Sequence, residues 1–255
     1  LNLRSLLEGQ RTAGRVQTYT PLWIFNAIAV TADPAVIDLL AKQPEVSSIT
    51  PDSAVQAPPR LSTSTTTGAP EPNVNLINAP AVWNLGFRGQ GVVVASMDTG
   101  VDFTHPDLAA QWRGGTNSWY DPNGQHSVPT DMSGHGTWTM GVMVGRDAGG
   151  TSIGVAPDAQ WIAVKIFNDS GTAMTSKIHL GFQWLLDPDG NPQTADAPDV
   201  VNNSWANNTP GCDLTYEPDL QALVAAGIVP VFAAGNYGPN SSTSASPGNN
   251  PDAFS

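Results

Sequence analysis

The strongest constraint on the fold is an alternation along residues 92–233. Short apolar runs at 92–97, 160–167, 199–204 and 228–233 are separated by helical patterns at 134–144, 173–186 and 216–226. Apolar runs this brief and this continuous read as strands buried on both faces, with the helices between them acting as crossovers. The pattern predicts an α/β domain built on a mainly parallel sheet with helices on both faces. In such sheets reactive groups gather beyond the carboxyl ends of the strands, which places Asp98, Ser204 and Asn236 on one rim.

Residues 1–57 show a different, smaller α+β pattern. Leu3, Leu6 and Leu7 mark one face of a helix ending near Gly14, and residues 16–30 are rich in strand formers with Pro21 as a break. Asp33-Pro34 reads as a helix start, its carboxylate capping free N–H groups ahead of the apolar face of Val36, Ile37, Leu40 and Ala41. Residues 46–50 read as another strand. A unit of this size has a marginal core of its own. Between it and the larger part runs a Pro/Ser/Thr tract, residues 58–72, with almost nothing to bury, expected to be an exposed linker.

Charge narrows the function classes. Ten Lys and Arg against 22 Asp and Glu give a net charge of −12, most of it beyond residue 57. Such a chain lacks the cationic footprint of a nucleic-acid or anionic-membrane binder, and no apolar run reaches the roughly 18 residues of a membrane span. The single cysteine, Cys212, can make no bridge within the chain. The sequence starts at Leu1 without a signal-peptide pattern and is expected to be a piece of a longer product.

Three segments could carry chemistry. Asp98 closes the apolar run 92–97, and a carboxylate there must find hydrogen bonds or a cation, as a plain turn aspartate or as something more. His135 opens a helical pattern between Gly134 and Gly136, where the backbone can approach a partner closely. Taken alone it reads more readily as an ordinary surface or core residue than as a functional one, but a carboxylate accepting from the ring would fix its tautomer and free the other nitrogen to take a proton. Asn236, after the last apolar run, can donate N–H to a developing oxyanion or simply sit in a turn.

Together, Asp98-Thr99-Gly100, Gly134-His135-Gly136-Thr137 and Ala233-Ala234-Gly235-Asn236 resemble, in order, the aspartate, histidine and oxyanion-hole motifs of the subtilisin-like serine peptidases. The likeness runs from about Asn78 to Ser255, and Gly154-Val155-Ala156-Pro157 and Asn202-Asn203-Ser204-Trp205 look most like the bacillopeptidase F branch. The resemblance implies a subtilisin-like catalytic portion over residues 73–255 and an inhibitory, folding-assisting propeptide over 1–57, with processing in 58–72. It implies catalytic roles for Asp98, His135 and Asn236. Ser204, Trp205 and Ala206 would form the edge that pairs with an extended substrate, with Gly171 flanking the opposite side. Implied partners are protein or peptide substrates and the chain's own propeptide in the cleft, with secretion as the location. No cofactor is required for such chemistry, and structural calcium is left unassigned.

The family's nucleophile lies in a Gly-Thr-Ser-Met-Ala motif beyond the oxyanion asparagine, and this chain reaches Ser255 without it. The 255 residues alone are therefore expected to be essentially inactive, a truncated proenzyme. Ser152, between the histidine helix and the next strand, is a poor substitute. Trp138 stands where the family usually has a second histidine, with consequences expected for packing. Asp187-Pro188-Asp189-Gly190-Asn191 looks superficially like a cation loop and reads as a turn, and Asp102, His105 and Asp107 read as loop residues, so no metal ligand is assigned. His126 and His179 show no evident partner. The alternatives are a peptide-binding pseudoprotease and, more weakly, a metal-dependent hydrolase.

Overall fold

The computed structural model describes residues 2–59 and 70–255, and the chain divides into two units, Leu1–Ser53 and Ala54–Ser255. Most of the expected linker lies outside the described residues. In the first unit Asn2 caps α1 (Leu3–Thr12) by accepting the Arg4 N–H at 2.8 Å. Strands β1 (Val16–Leu22) and β2 (Ala27–Ala32) form an antiparallel pair, followed by α2 (Pro34–Leu40). Leu7, Val16, Val36 and Leu40 make the buried core, with Leu3, Leu6, Ile28 and Val30 packed against it.

Three expectations for this unit are corrected. Pro21 does not break a strand but lies inside β1, opposite Ile28, because a two-stranded sheet leaves an outer edge where a missing N–H costs no ladder bond. Asp33 stands at the N-cap in extended conformation, yet its carboxylate makes no capping bond; its backbone carbonyl takes the Val36 N–H at 2.9 Å. Residues 46–50 form no strand. The strand appears instead at β3 (Ala54–Gln56), in the second unit, where it finds a pairing edge.

The second unit begins with β3 and two short helices, α3 (Pro72–Leu76) and α4 (Ala79–Asn84). Then follow β4 (Val93–Asp98), β5 (Trp119–Tyr120), α5 (His135–Val144), β6 (Gln160–Lys165), β7 (Thr172–Met174), α6 (Thr175–Leu186), β8 (Val200–Asn203), α7 (Glu217–Ala225) and β9 (Val229–Phe232). Five strands pair in the order β5-β6-β4-β8-β9, every neighbour parallel. This is the α/β fold that the alternation predicts. α5 packs on one face, and α6, with α7 beside it, on the other, the arrangement that right-handed crossovers produce for this strand order. Met140 and Val144 of α5 accordingly share a core with Val94, Trp161 and Ala163. On the opposite face Gly181 of α6 lies so close to Met97, Val164 and Ile166 that a Cβ would press on all three. Both faces are covered, which is why the strands read as unbroken apolar runs.

In the second unit β3, α3, α4, β5 and β7 escaped the sequence pattern. β7 takes the residues read as the start of the helix at 173, and it pairs antiparallel with β3. β5 is only Trp119 and Tyr120 at the sheet edge.

Candidate active site

Connections from β4 lead in opposite directions, to β6 on one side and, by way of β6, to β8 on the other. The carboxyl end of β4 is thus the point where the strand order reverses, the usual place for a site in an open parallel sheet. Asp98 is the last residue of β4 and is buried. His135 is the first residue of α5, and its Nδ1 stands 2.8 Å from Asp98 Oδ1. Thr99 donates its N–H to the same oxygen at 2.7 Å, and Thr139 Oγ1 reaches Asp98 Oδ2 at 3.4 Å.

Glycines allow this approach. A Cβ on Gly136 would collide with the Gly100 carbonyl and come within 3.1 Å of the Asp98 Cβ, and Gly100 itself turns at φ +112° against the Thr130 carbonyl. The flanking glycine expected to let backbones close on each other is doing so at Gly136.

The electrostatics follow from the burial. Burial pushes the Asp98 carboxyl up, opposed by the His135 bond and charge and by the Thr99 N–H, which favour its ionised form. Burial would push the His135 imidazole down, but the hydrogen bond and charge of Asp98, then the charge of Asp131, outweigh it and leave the ring above its ordinary value. With Nδ1 committed to the carboxylate, the neutral ring carries its proton there and leaves Nε2 with a free lone pair that can accept one.

The sequence did not single out Asp131, which organises the whole corner. Its Oδ1 accepts from Thr99 Oγ1, Ser133 N and Gly134 N, and its Oδ2 from Thr137 N and Thr137 Oγ1, at 2.7–2.9 Å. Thr99 Oγ1 in turn accepts the Gly136 N–H at 2.9 Å. One carboxylate thereby caps α5 and ties it to the turn after β4. Lys165 was also missed: it is buried at the end of β6, its Nζ donating to the Thr99 and Phe167 carbonyls at 2.9 Å and lying 3.3 Å from Asp169. A lysine closing an apolar run was the available signal, since a buried ammonium must have acceptors.

Asn236 follows β9 on the same rim, with an exposed side chain beyond Gly235 at φ +98°. Gly171 turns at φ +80°, and its carbonyl accepts the Ala57 N–H at 2.8 Å. Ser204 Oγ accepts from Asn202 Nδ2 at 2.8 Å. The Trp205 side chain is buried edge-on against Tyr216 and Phe232, with centroids 5.7 and 5.6 Å away, and Ala206 is half-buried.

The packing consequence at Trp138 falls on the surface: it is 55% exposed with its ring 6.2 Å from that of His135, one helical turn away. His126 and His179 both have partners, Asp169 at 2.9 Å and Asp219 at 2.8 Å. Ser152 lies beyond the opposite end of α5, about 15 Å of helix from His135, and its carbonyl accepts the Glu71 N–H. His105 Nδ1 accepts the Asp107 N–H and Asp102 Oδ1 takes the Thr104 N–H, as loop residues do. Among the described residues, Asp187, Asp189 and Asp196 are the carboxylate group close enough to share a cation, their atoms within 4.8 Å. Asp189 is already engaged by Asn191 N and Thr194 Oγ1 in a turn.

The subtilase family model matches residues 89–255 and the peptidase inhibitor I9 model matches residues 2–58, and the chain belongs to the subtilase family. It is 37% identical to Bacillopeptidase F of Bacillus subtilis (strain 168), over 97% of this chain and 19% of that protein. It is 33% identical to the Minor extracellular protease Vpr of the same organism, over 70% of this chain and 22% of Vpr. Subtilisin E, also from that strain, is 32% identical over 86% of this chain and 51% of its own length. The chain thus spans about a fifth to a half of the relatives it matches. No helix among the described residues is long and apolar enough to cross a membrane.

Proposed function

We propose that the chain is the propeptide and first part of the catalytic domain of a secreted serine endopeptidase. Peptide bonds would be cleaved by acyl transfer, with protein or peptide substrates and no cofactor in the chemistry. His135 Nε2 takes the proton of a serine supplied from beyond residue 255, while Asp98 orients the ring and stabilises the imidazolium. Asn236 donates to the oxyanion of the tetrahedral intermediate, and His135 then returns the proton to the leaving amine before water releases the acyl group. The observation that carries this assignment is the 2.8 Å bond from buried Asp98 to His135 Nδ1 at the end of β4.

Residues 1–57 are assigned as an inhibitory propeptide, supported by the inhibitor-family match over 2–58, with processing in 58–72. Gly171 and the segment Ser204, Trp205 and Ala206 are assigned to the two sides of the substrate cleft. For the Gly171 side the support is that β3 lies antiparallel on β7 and Ala57 donates to the Gly171 carbonyl, as an extended substrate would. The propeptide's last residues then occupy the cleft that they inhibit.

The test is expression of the longer protein, unsubstituted and with Asp98→Asn or His135→Ala, measuring casein hydrolysis and release of the N-terminal unit. Both substitutions are expected to stop both processes; undiminished activity in both overturns the assignment. The 255 residues alone are expected to hydrolyse casein barely, and robust turnover by them, blocked by serine-directed reagents, would contradict the placement of the nucleophile.

A further inference from the structure

We propose that Asn208 is a specificity-determining residue of the cleft, reading the backbone of an extended peptide at two positions and excluding proline from one of them. The inference rests on the assignment of β7 and Gly171 to the substrate cleft.

A strand has two hydrogen-bonding edges, and successive residues turn their backbone groups to opposite ones. One edge of β3 faces β7, in the register Ala54 to Met174, Val55 to Ala173 and Gln56 to Thr172, and the pairing continues where Ala57 donates to Gly171. On the other edge one carboxamide, that of Asn208, meets two backbone groups. Gln56 donates its N–H to Asn208 Oδ1 at 3.1 Å, and Asn208 Nδ2 donates to the Ala54 carbonyl at 3.1 Å. A primary amide offers one acceptor and a donor side by side, so one side chain satisfies the outward N–H of one residue and the outward carbonyl of the residue two before it. The partners also fix which way the amide points, since reversing it would set donor against donor and acceptor against acceptor.

Asn208 sits on an anchored corner. The preceding residue, Asn207, donates its N–H to the Ser246 carbonyl at 2.7 Å, its own carbonyl accepts from Tyr237 Oη at 3.1 Å, and its Nδ2 reaches Asp213 at 3.2 Å. The backbone beside the carboxamide is thereby anchored, which lowers the ordering cost of binding.

Side chains alternate in the same register. Val55 is buried, whereas Ala54 and Gln56 are exposed. The clasp therefore says nothing about the side chain at the Gln56 position but demands an N–H there. Proline has none. The substrate class so defined is an extended peptide with a secondary amide at the position of Gln56.

Amide exchange in the full 255-residue chain, read residue by residue by NMR, tests the clasp. Asn208 is exposed, so Asn208→Ala leaves the core untouched. It is expected to speed exchange of the Gln56 amide about fivefold or more, while the Ala57 amide, bonded to Gly171, changes far less. Gln56→Pro is expected to speed exchange at Ala57 by loosening the strand, and Gln56→Ala is not. Protection of Gln56 that survives Asn208→Ala, or equal effects of Gln56→Pro and Gln56→Ala, overturns the clasp and leaves the cleft standing. Free exchange at both Gln56 and Ala57 in the unsubstituted chain would overturn the cleft assignment, and the clasp with it.

Discussion

The second unit holds two buried histidine–aspartate pairs with the same 2.8 Å separation, both through Nδ1, and they differ in everything around them. Asp98 ends a central strand at the switch point of the sheet, and both its oxygens have donors besides or apart from the histidine. Asp219 lies in the first turn of α7, packed toward α6, and its Oδ1 has no hydrogen-bond partner among the described residues. Burial pushes Asp219 up, with His179 opposing. The ring of His179 is set against Tyr216 at 5.2 Å, within the aromatic group that continues to Trp205 and Phe232. An imidazole bound to a carboxylate is thus no signature of catalysis by itself. Its position at the strand rim, a glycine-lined approach and a second carboxylate organising the corner separate the Asp98 pair from one that joins two helices.

That contrast is sharpest under substitution. In the longer, serine-containing protein proposed above, Asp98→Asn is expected to lower kcat by about 10⁴, the loss known for asparagine in the triad position. Asp219→Asn should leave kcat within a few-fold at temperatures where the protein stays folded, measured on a peptide substrate. A comparable collapse from Asp219→Asn would erase the distinction between the pairs.

Stability should reverse the order. His179→Ala strands a fully buried carboxylate and is expected to cost about 3–5 kcal/mol in denaturant unfolding. His135→Ala should cost less, because Asp98 keeps the Thr99 N–H at 2.7 Å.

Asn236→Ala extends the comparison along the rim. Its expected effect is a loss of about 10²–10³ in kcat with little change in KM, the signature of a donor used in the transition state. A loss confined to KM would remove Asn236 from the oxyanion site.

The smallest effect concerns Asp131. Its negative charge is among those raising His135, so Asp131→Asn removes a stabilising neighbour of the imidazolium and lowers the folded-state value. With the neutral ring as the proposed base, the acid limb of kcat/KM should move to lower pH. An unmoved limb would make Asp131 purely a cap of α5.

The legible parts of the molecule were those encoded within a few residues. In the second unit four of the five strands of the parallel sheet and the three helices α5, α6 and α7 announce themselves by apolar period, and Asp98 and His135 by a charge at the end of a strand and an imidazole between glycines. What escaped depends on partners far along the chain. His126 meets Asp169 and His179 meets Asp219 across about forty residues, so no local pattern could show either pair. The strand expected at 46–50 had β-formers but gained no edge, whereas 54–56, too short to show a period, gained one on β7. Asn208 reads as an ordinary loop asparagine until the two backbone groups it holds are seen. Asp131, equally plain in sequence, matters through the five donors that converge on it.

The tautomer of His135 tests the central claim most directly. Ring ¹⁵N shifts of the chain, assigned by the signals lost in His135→Ala and recorded at a pH where the imidazole is neutral, should show the proton on Nδ1 and a bare Nε2. A proton found on Nε2, with Nδ1 bare and unable to donate to Asp98, would contradict it.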